Sequence, residues 1–122
     1  MSIVVLVVDD SRTNILALSA VLRTKDIQVV NANNGQDGIA KIKEHPEIDV
    51  VLMDIMMPVM DGYEAMRIIR RDLNSKVPVI ALTASNSPDD ERKCLEAGAT
   101  DFCSKPVDLE TLYKKITNCL IS

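Results

Sequence analysis

The sequence predicts an α/β fold: a doubly wound sheet of five parallel strands with helices on both faces. Three observations carry this. Short β-branched and aliphatic runs alternate five times with segments of helical spacing. The connections are short, and strands alternating with helices pack as a parallel sheet through right-handed crossovers. The composition is that of one folded domain, with 122 residues, 47% hydrophobic and 26% charged. Two Tyr, one Phe and no Trp leave the core to Val, Ile, Leu, Met and Ala.

Residues 3–8 form a continuous aliphatic run, as expected of a strand covered on both faces. Ser11 suits an N-cap, and Ile15, Leu18 and Leu22 then recur at helical spacing to about residue 23. Residues 27–30 predict a short second strand. Residues 35–44 predict a short helix, with Ile39 and Ile42 facing inward and Pro46 just beyond its end. Residues 48–53 are the second strong apolar run and end at Asp54. A loop through Met57, Pro58, Val59 and Met60 leads to Asp61-Gly62-Tyr63-Glu64. That tetrad has capping-box spacing, with Asp61 accepting from the first turn and Glu64 reaching back. Ala65, Met66, Ile69 and Leu73 make the buried stripe of the third helix. Residues 77–82 predict the fourth strand. Ser87-Pro88-Asp89-Asp90 opens a fourth helix, because Pro is tolerated at the first helical position and acids suit the dipole there. Gly98 closes it. A short strand near residues 100–104 follows. Asp108 starts a last helix carrying Leu109, Leu112, Ile116 and Leu120 on one face.

Eighteen acidic residues against fourteen Lys and Arg give a net charge of −4. That balance argues against general binding to nucleic-acid phosphates, so no direct DNA binding is expected. Arg67, Arg70 and Arg71 are the one dense basic group and read as a solvated helix face. No apolar run approaches the roughly 20 residues of a membrane span. The opening run lacks a basic leader and ends in two aspartates, unlike a signal peptide. Cys94, Cys103 and Cys119 are odd in number and widely spaced, which speaks against a disulfide framework or zinc site and for a reducing cytoplasm.

The polar residues fall at strand ends. The first strand ends in Asp9-Asp10, the third in Asp54, the fourth in Thr83, and the fifth in Lys105-Pro106. In doubly wound sheets these carboxyl ends share one edge, and ligands sit where the strand order reverses. With order 2-1-3-4-5, Asp9, Asp10 and Asp54 share one crevice. Crowded carboxylates repel, and a divalent cation is the simplest relief. All-oxygen ligands suit Mg²⁺, Mn²⁺ or Ca²⁺. Lys105 adds positive charge and Thr83 a hydroxyl, so the set could stabilise a phosphoryl group. A carboxylate attacks phosphorus without losing a proton and needs no general base; the one histidine, His45, lies beside Pro46. Asp54 stands alone at its strand end and reads as the acceptor, with Asp9 and Asp10 holding the cation. Singly, each of these residues reads as a helix cap, a turn residue or a solvated lysine; the convergence of four strand ends carries the assignment.

Val8-Asp9-Asp10, Met53-Asp54-Ile55-Met56-Met57-Pro58 with Asp61-Gly62, Thr83-Ala84, and Phe102-Cys103-Ser104-Lys105-Pro106 together resemble the receiver domain of the two-component response-regulator family. The likeness extends to single-domain chemotaxis-type regulators and hybrid-kinase receiver domains, and implies a flavodoxin-like fold. It implies one receiver domain over residues 1–122, with Asp54 as phosphoacceptor. It also implies Mg²⁺ (Mn²⁺ as substitute) on Asp9, Asp10, Asp54 and the Met56 carbonyl, with Asp10 the more direct ligand. Thr83 and Lys105 would meet the phosphoryl group, Phe102 would be the aromatic switch, and the Lys105–Pro106 bond would be cis. Phe in place of the commoner Tyr leaves no hydroxyl at the switch position. The implied partners are a histidine kinase or histidine phosphotransfer protein on the first helix, near Asn14, Ile15 and Ala17, with core packing the competing reading of Ile15. A downstream protein would use the face bounded by Pro88 and Leu120. A phosphorylation-dependent homodimer is a further arrangement open to the chain. No effector domain is expected after the last helix.

Two other classes compete. A Mg²⁺-dependent phosphohydrolase with an aspartyl-phosphate intermediate would want a second acid two residues after its nucleophile, where this chain has Met56. A flavin-binding module would want a hydroxyl-rich phosphate loop after the first strand and aromatics to stack on the ring. The chain has Asp9-Asp10 there and three aromatics in all.

Overall fold

The computed structural model describes residues 3–85 and 87–121. Five strands, β1 (Val4–Val8), β2 (Gln28–Ala32), β3 (Val50–Asp54), β4 (Val79–Thr83) and β5 (Asp101–Ser104), alternate with five helices, α1 (Arg12–Arg23), α2 (Gly35–Glu44), α3 (Gly62–Arg71), α4 (Pro88–Ala97) and α5 (Leu109–Ile121). All strand pairs are parallel, in the order β2-β1-β3-β4-β5. This is the predicted topology, and the long apolar runs of the sequence fall on its three central strands. β1, β3 and β4 are buried along their whole length, as central strands covered on both faces must be.

Side chains alternate across the sheet. Leu6, Val8, Val51, Met53, Val79 and Ala81 point to one face, against Ala65, Met66 and Ile69 of α3 and Cys94 and Ala97 of α4. Val5, Val7, Val50, Leu52, Ile80 and Leu82 point to the other, against Ile15 and Leu22 of α1 and Leu112 and Ile116 of α5. A one-residue slip in any central strand would exchange these two sets.

The helix starts follow their caps. Ser11, Asp61, Ser87 and Asp108 accept the amides of Asn14, Glu64, Asp90 and Thr111 at 2.9–3.3 Å. Asn34 does the same for α2 by accepting the Asp37 amide at 2.7 Å. Gly98 ends α4 with φ +116°, a left-handed turn that favours glycine. The capping box at Asp61 is half-formed: among the described residues, no bond returns from the Glu64 carboxylate to the Asp61 amide.

Other expectations change too; the third and fourth strands begin at Val50 and Val79, two residues later than predicted. Leu120 does not join the buried stripe of α5; it is 39% exposed, because two successive i+4 steps turn it roughly 80° around the helix from Leu112, while Leu112 and Ile116 are fully buried. The second strand runs on to Ala32. Arg70 is not on a solvated face. Its Nη1 donates to the Ser75 and Val77 carbonyls at 3.1 and 2.6 Å, and its Nε donates to the Gly98 carbonyl at 2.9 Å. Arg70 stands four residues after the buried Met66, so it falls on the inward stripe of α3 rather than beside Arg67 and Arg71.

Candidate functional site

Strand register builds the site. Val8 pairs with Met53, so the next residues, Asp9 and Asp54, leave the sheet side by side. Asp54 pairs with Leu82, and Thr83 with Ser104, which brings Thr83 and Lys105 to the same edge. The strand order reverses at β1, opening a crevice between β1 and β3. Carboxylate oxygens of Asp9, Asp10 and Asp54 lie within 4.8 Å of one another. Among the described residues this is the one cluster of three or more ligating acids.

Asp9 and Asp54 are 1% and 2% exposed, while Asp10 is open to solvent. Asp9 accepts the Ser11 amide at 2.8 Å and the Asn14 side-chain amide at 3.5 Å. Asp54 Oδ1 accepts from Lys105 Nζ at 2.9 Å and from the Met56 amide at 3.3 Å. Thr83 is buried, and its hydroxyl donates to the Ser85 carbonyl at 2.6 Å. The Lys105–Pro106 bond is cis, as the resemblance implies. Phe102 lies partly buried on β5 against the apolar layer beneath α2, α3 and α4. The Met56 side chain is 71% exposed and points away from the core. Gly62 passes so close to the end of β3 that an added Cβ would meet the Asp54 carbonyl oxygen at 2.5 Å. Glycine is therefore required where the loop after Asp54 folds back to start α3.

One ammonium faces three carboxylates here, and two of the three are buried. Burial raises the Asp9 carboxyl above its ordinary value, with the Ser11 amide opposing and the Asp54 charge adding to the rise. An acid raised by folding stabilises the protonated fold and weakens it once ionised, so this contribution is lost as pH climbs through the raised value. Like charges 4.8 Å apart repel by about 1 kcal/mol even in water. Asp9→Asn is therefore expected to raise the pH 7 melting temperature by about 3–5 °C in cation-free buffer. The gain should vanish in acid, below the ordinary carboxylate range. Scanning calorimetry at both pH values checks it; an unchanged or lower melting temperature at pH 7 contradicts the electrostatic account. All donors at the rim are hard oxygens with no thiol or imidazole, a set that fits Mg²⁺.

A mostly apolar cleft of about 370 Å³ runs from Asp9 and Lys105 between α1 and the start of α5, past Ala17, Leu18, Pro106 and Val107. The family model for the response regulator receiver domain matches residues 5–117. The chain belongs to the receiver-domain family. The receiver domain is 42% identical over 117 residues to the protein PilH of Pseudomonas aeruginosa, covering 95% of this chain and 96% of that one. It is 39% identical to the hybrid signal transduction histidine kinase L of Dictyostelium discoideum, covering 91% of this chain but 7% of that one. Its backbone matches the receiver domain of Ssk1, solved in complex with the histidine phosphotransfer signalling protein Ypd1 of Saccharomyces cerevisiae, with a TM-score of 0.88 and 38% identity. That match covers 95% of this chain and 87% of that one. As a receiver domain of two-component signalling, the chain has an acidic rim that fits a phosphoacceptor role.

Proposed function

We propose that residues 1–122 act as a single phosphoacceptor switch in a two-component phosphorelay, with Asp54 as the acceptor. One observation carries the choice: Asp54 is the buried acid whose oxygen is held by Lys105, at the rim where two more acids converge. Asp9, Asp10 and Asp54, with the Met56 carbonyl, would hold Mg²⁺, or Mn²⁺ in its place. Bound there, the ion neutralises phosphoryl oxygens that would otherwise repel an attacking carboxylate.

The chain's own residues do the rest. An Asp54 oxygen attacks the phosphorus of a phosphohistidine, the P–N bond breaks, and the electron pair leaves with the imidazole. Lys105, already 2.9 Å from Asp54, pairs with the new phosphoryl oxygens. Thr83 gives up the Ser85 carbonyl and donates to the phosphoryl group instead. Its movement frees space for the Phe102 ring, and the balance between two conformations shifts. Water later releases the phosphoryl group, so the domain is a switch with slow self-dephosphorylation rather than a turnover enzyme. The phosphohydrolase alternative lacks its general acid, since an exposed Met56 thioether has no proton to donate.

Family membership supports a histidine kinase or phosphotransfer protein as donor, and the apolar cleft beside Asp9 and Lys105 offers it a seat. The α4–β5–α5 face is the surface we assign to a downstream protein, or to a second copy after phosphorylation. We place the domain in the cytoplasm, in keeping with Cys94 and Cys103 as buried free thiols. No described helix is long and apolar enough to cross a membrane.

Incubation with acetyl phosphate and Mg²⁺ tests the reading. One phosphoryl group per chain, stable in acid and labile in base, is expected by mass spectrometry, and chelation should suppress it at least tenfold. Steady release of phosphate from a general phosphate ester over many turnovers would favour the hydrolase.

A further inference from the structure

The switch position carries Phe, so its ring has no hydroxyl with which to fix either of its positions. Other contacts must set the balance. On the sheet side the ring packs against the apolar layer that includes Cys94 and Ala97. Against it also stands Lys115 of α5, whose Nζ is 5.5 Å from the ring centroid. That ammonium is tethered: it donates to Asp101 Oδ1 at 3.2 Å. The same carboxylate oxygen accepts the Phe102 amide at 2.8 Å. Asp101 thus holds Lys115, Lys115 faces the Phe102 ring, and the Phe102 backbone holds Asp101. The Lys115 and Asp101 side chains are 26% and 34% exposed, so their attraction is less screened than that of an open surface pair.

We propose that the Lys115–Asp101 pair is a latch that retains the Phe102 ring in its present position and biases the domain against its phosphorylated conformation. This rests on the reading of Phe102 as the switch residue. A cation within about 6 Å of an aromatic face is attracted by the ring's quadrupole. An ammonium anchored to Asp101 cannot follow a ring that turns away, so turning forfeits the contact. A contact present in one of two states sets their ratio, and a ligand selecting the other state must overcome it. The present state is the one in which the Thr83 hydroxyl is bonded to Ser85. A residue of α5 outside the acidic rim therefore tunes the readiness of Asp54, and takes the place of the absent phenolic hydroxyl.

The chain has one Phe, so ¹³C-ring-labelled phenylalanine reports on this residue alone. Beryllofluoride with Mg²⁺ serves as the phosphoryl mimic. In the unsubstituted protein the mimic should move the ring resonances. Lys115→Met keeps the aliphatic stem and removes the charge. Without the mimic, it should move the resonances part-way along the same line, and it should tighten apparent beryllofluoride affinity by about two- to fivefold. Lys115→Arg should restore both. Loss of a distant positive charge would by itself weaken binding of an anion, so tighter binding separates the latch from simple electrostatics. Ring resonances unmoved by Lys115→Met, or weaker binding in that variant, would overturn the latch. Ring resonances that ignore the mimic in the unsubstituted protein would instead overturn Phe102 as the switch, and the latch with it.

Discussion

Asp54→Asn is expected to abolish phosphoryl uptake from acetyl phosphate, to below one part in a hundred of the unsubstituted protein, while leaving the fold intact. An amide is isosteric with the carboxylate but is no nucleophile toward phosphorus at neutral pH. Its oxygen can still accept from Lys105 Nζ and from the Met56 amide, the two bonds that Asp54 now makes. No buried donor is orphaned, so the large core-disrupting costs do not arise. Removing one of three crowded charges also relieves the rim, so the melting temperature should hold or rise. Intact-mass measurement with circular dichroism decides the matter. Undiminished uptake by a folded variant would move the acceptor to Asp9 or Asp10 and overturn the assignment.

The second large effect lies at the opposite end of the sheet. Arg70→Met should destabilise the domain by about 3 kcal/mol, a fall of roughly 10–15 °C in melting temperature, without lowering phosphoryl uptake by the folded fraction. Methionine keeps most of the apolar stem but none of the donors. The carbonyls of Ser75, Val77 and Gly98 then lose their guanidinium partner. These three tie the approach to β4 and the end of α4 back to α3. Burial also lowers the Arg70 pKa, yet the group stays charged across any working pH. Chemical denaturation checks the magnitude. A loss under about 1 kcal/mol would show that water replaces the guanidinium at little cost.

The central strands were legible because parallel strands covered on both faces must be apolar, and β1, and β3 and β4 up to their last residues, are such runs; the runs mark which strands are central rather than the full order. The rim was legible for a related reason. A run so apolar can end in Asp9-Asp10 or Asp54 only where the chain leaves the sheet, and parallel strands leave on one edge. Arg70 was misread because its charge outweighed its spacing; i+4 from Met66 places it on the inward stripe. The Ser85 carbonyl as partner of Thr83 carried no signal, since a backbone acceptor has no side-chain signature. Lys115 and Asp101 stand fourteen residues apart on separate elements, and only the packing of α5 across β5 joins them.

The strand order leaves β2 and β5 at the borders of the sheet, each with one row of backbone donors and acceptors uncovered by a neighbouring strand. Such borders invite another chain to add a strand, and with it fibrils. Here each is a poor template. β5 is four residues long and begins with a charged Asp101; β2 exposes Gln28 and Asn31. Two short, polar margins protect a molecule whose interior is otherwise made of the most aggregation-prone kind of segment.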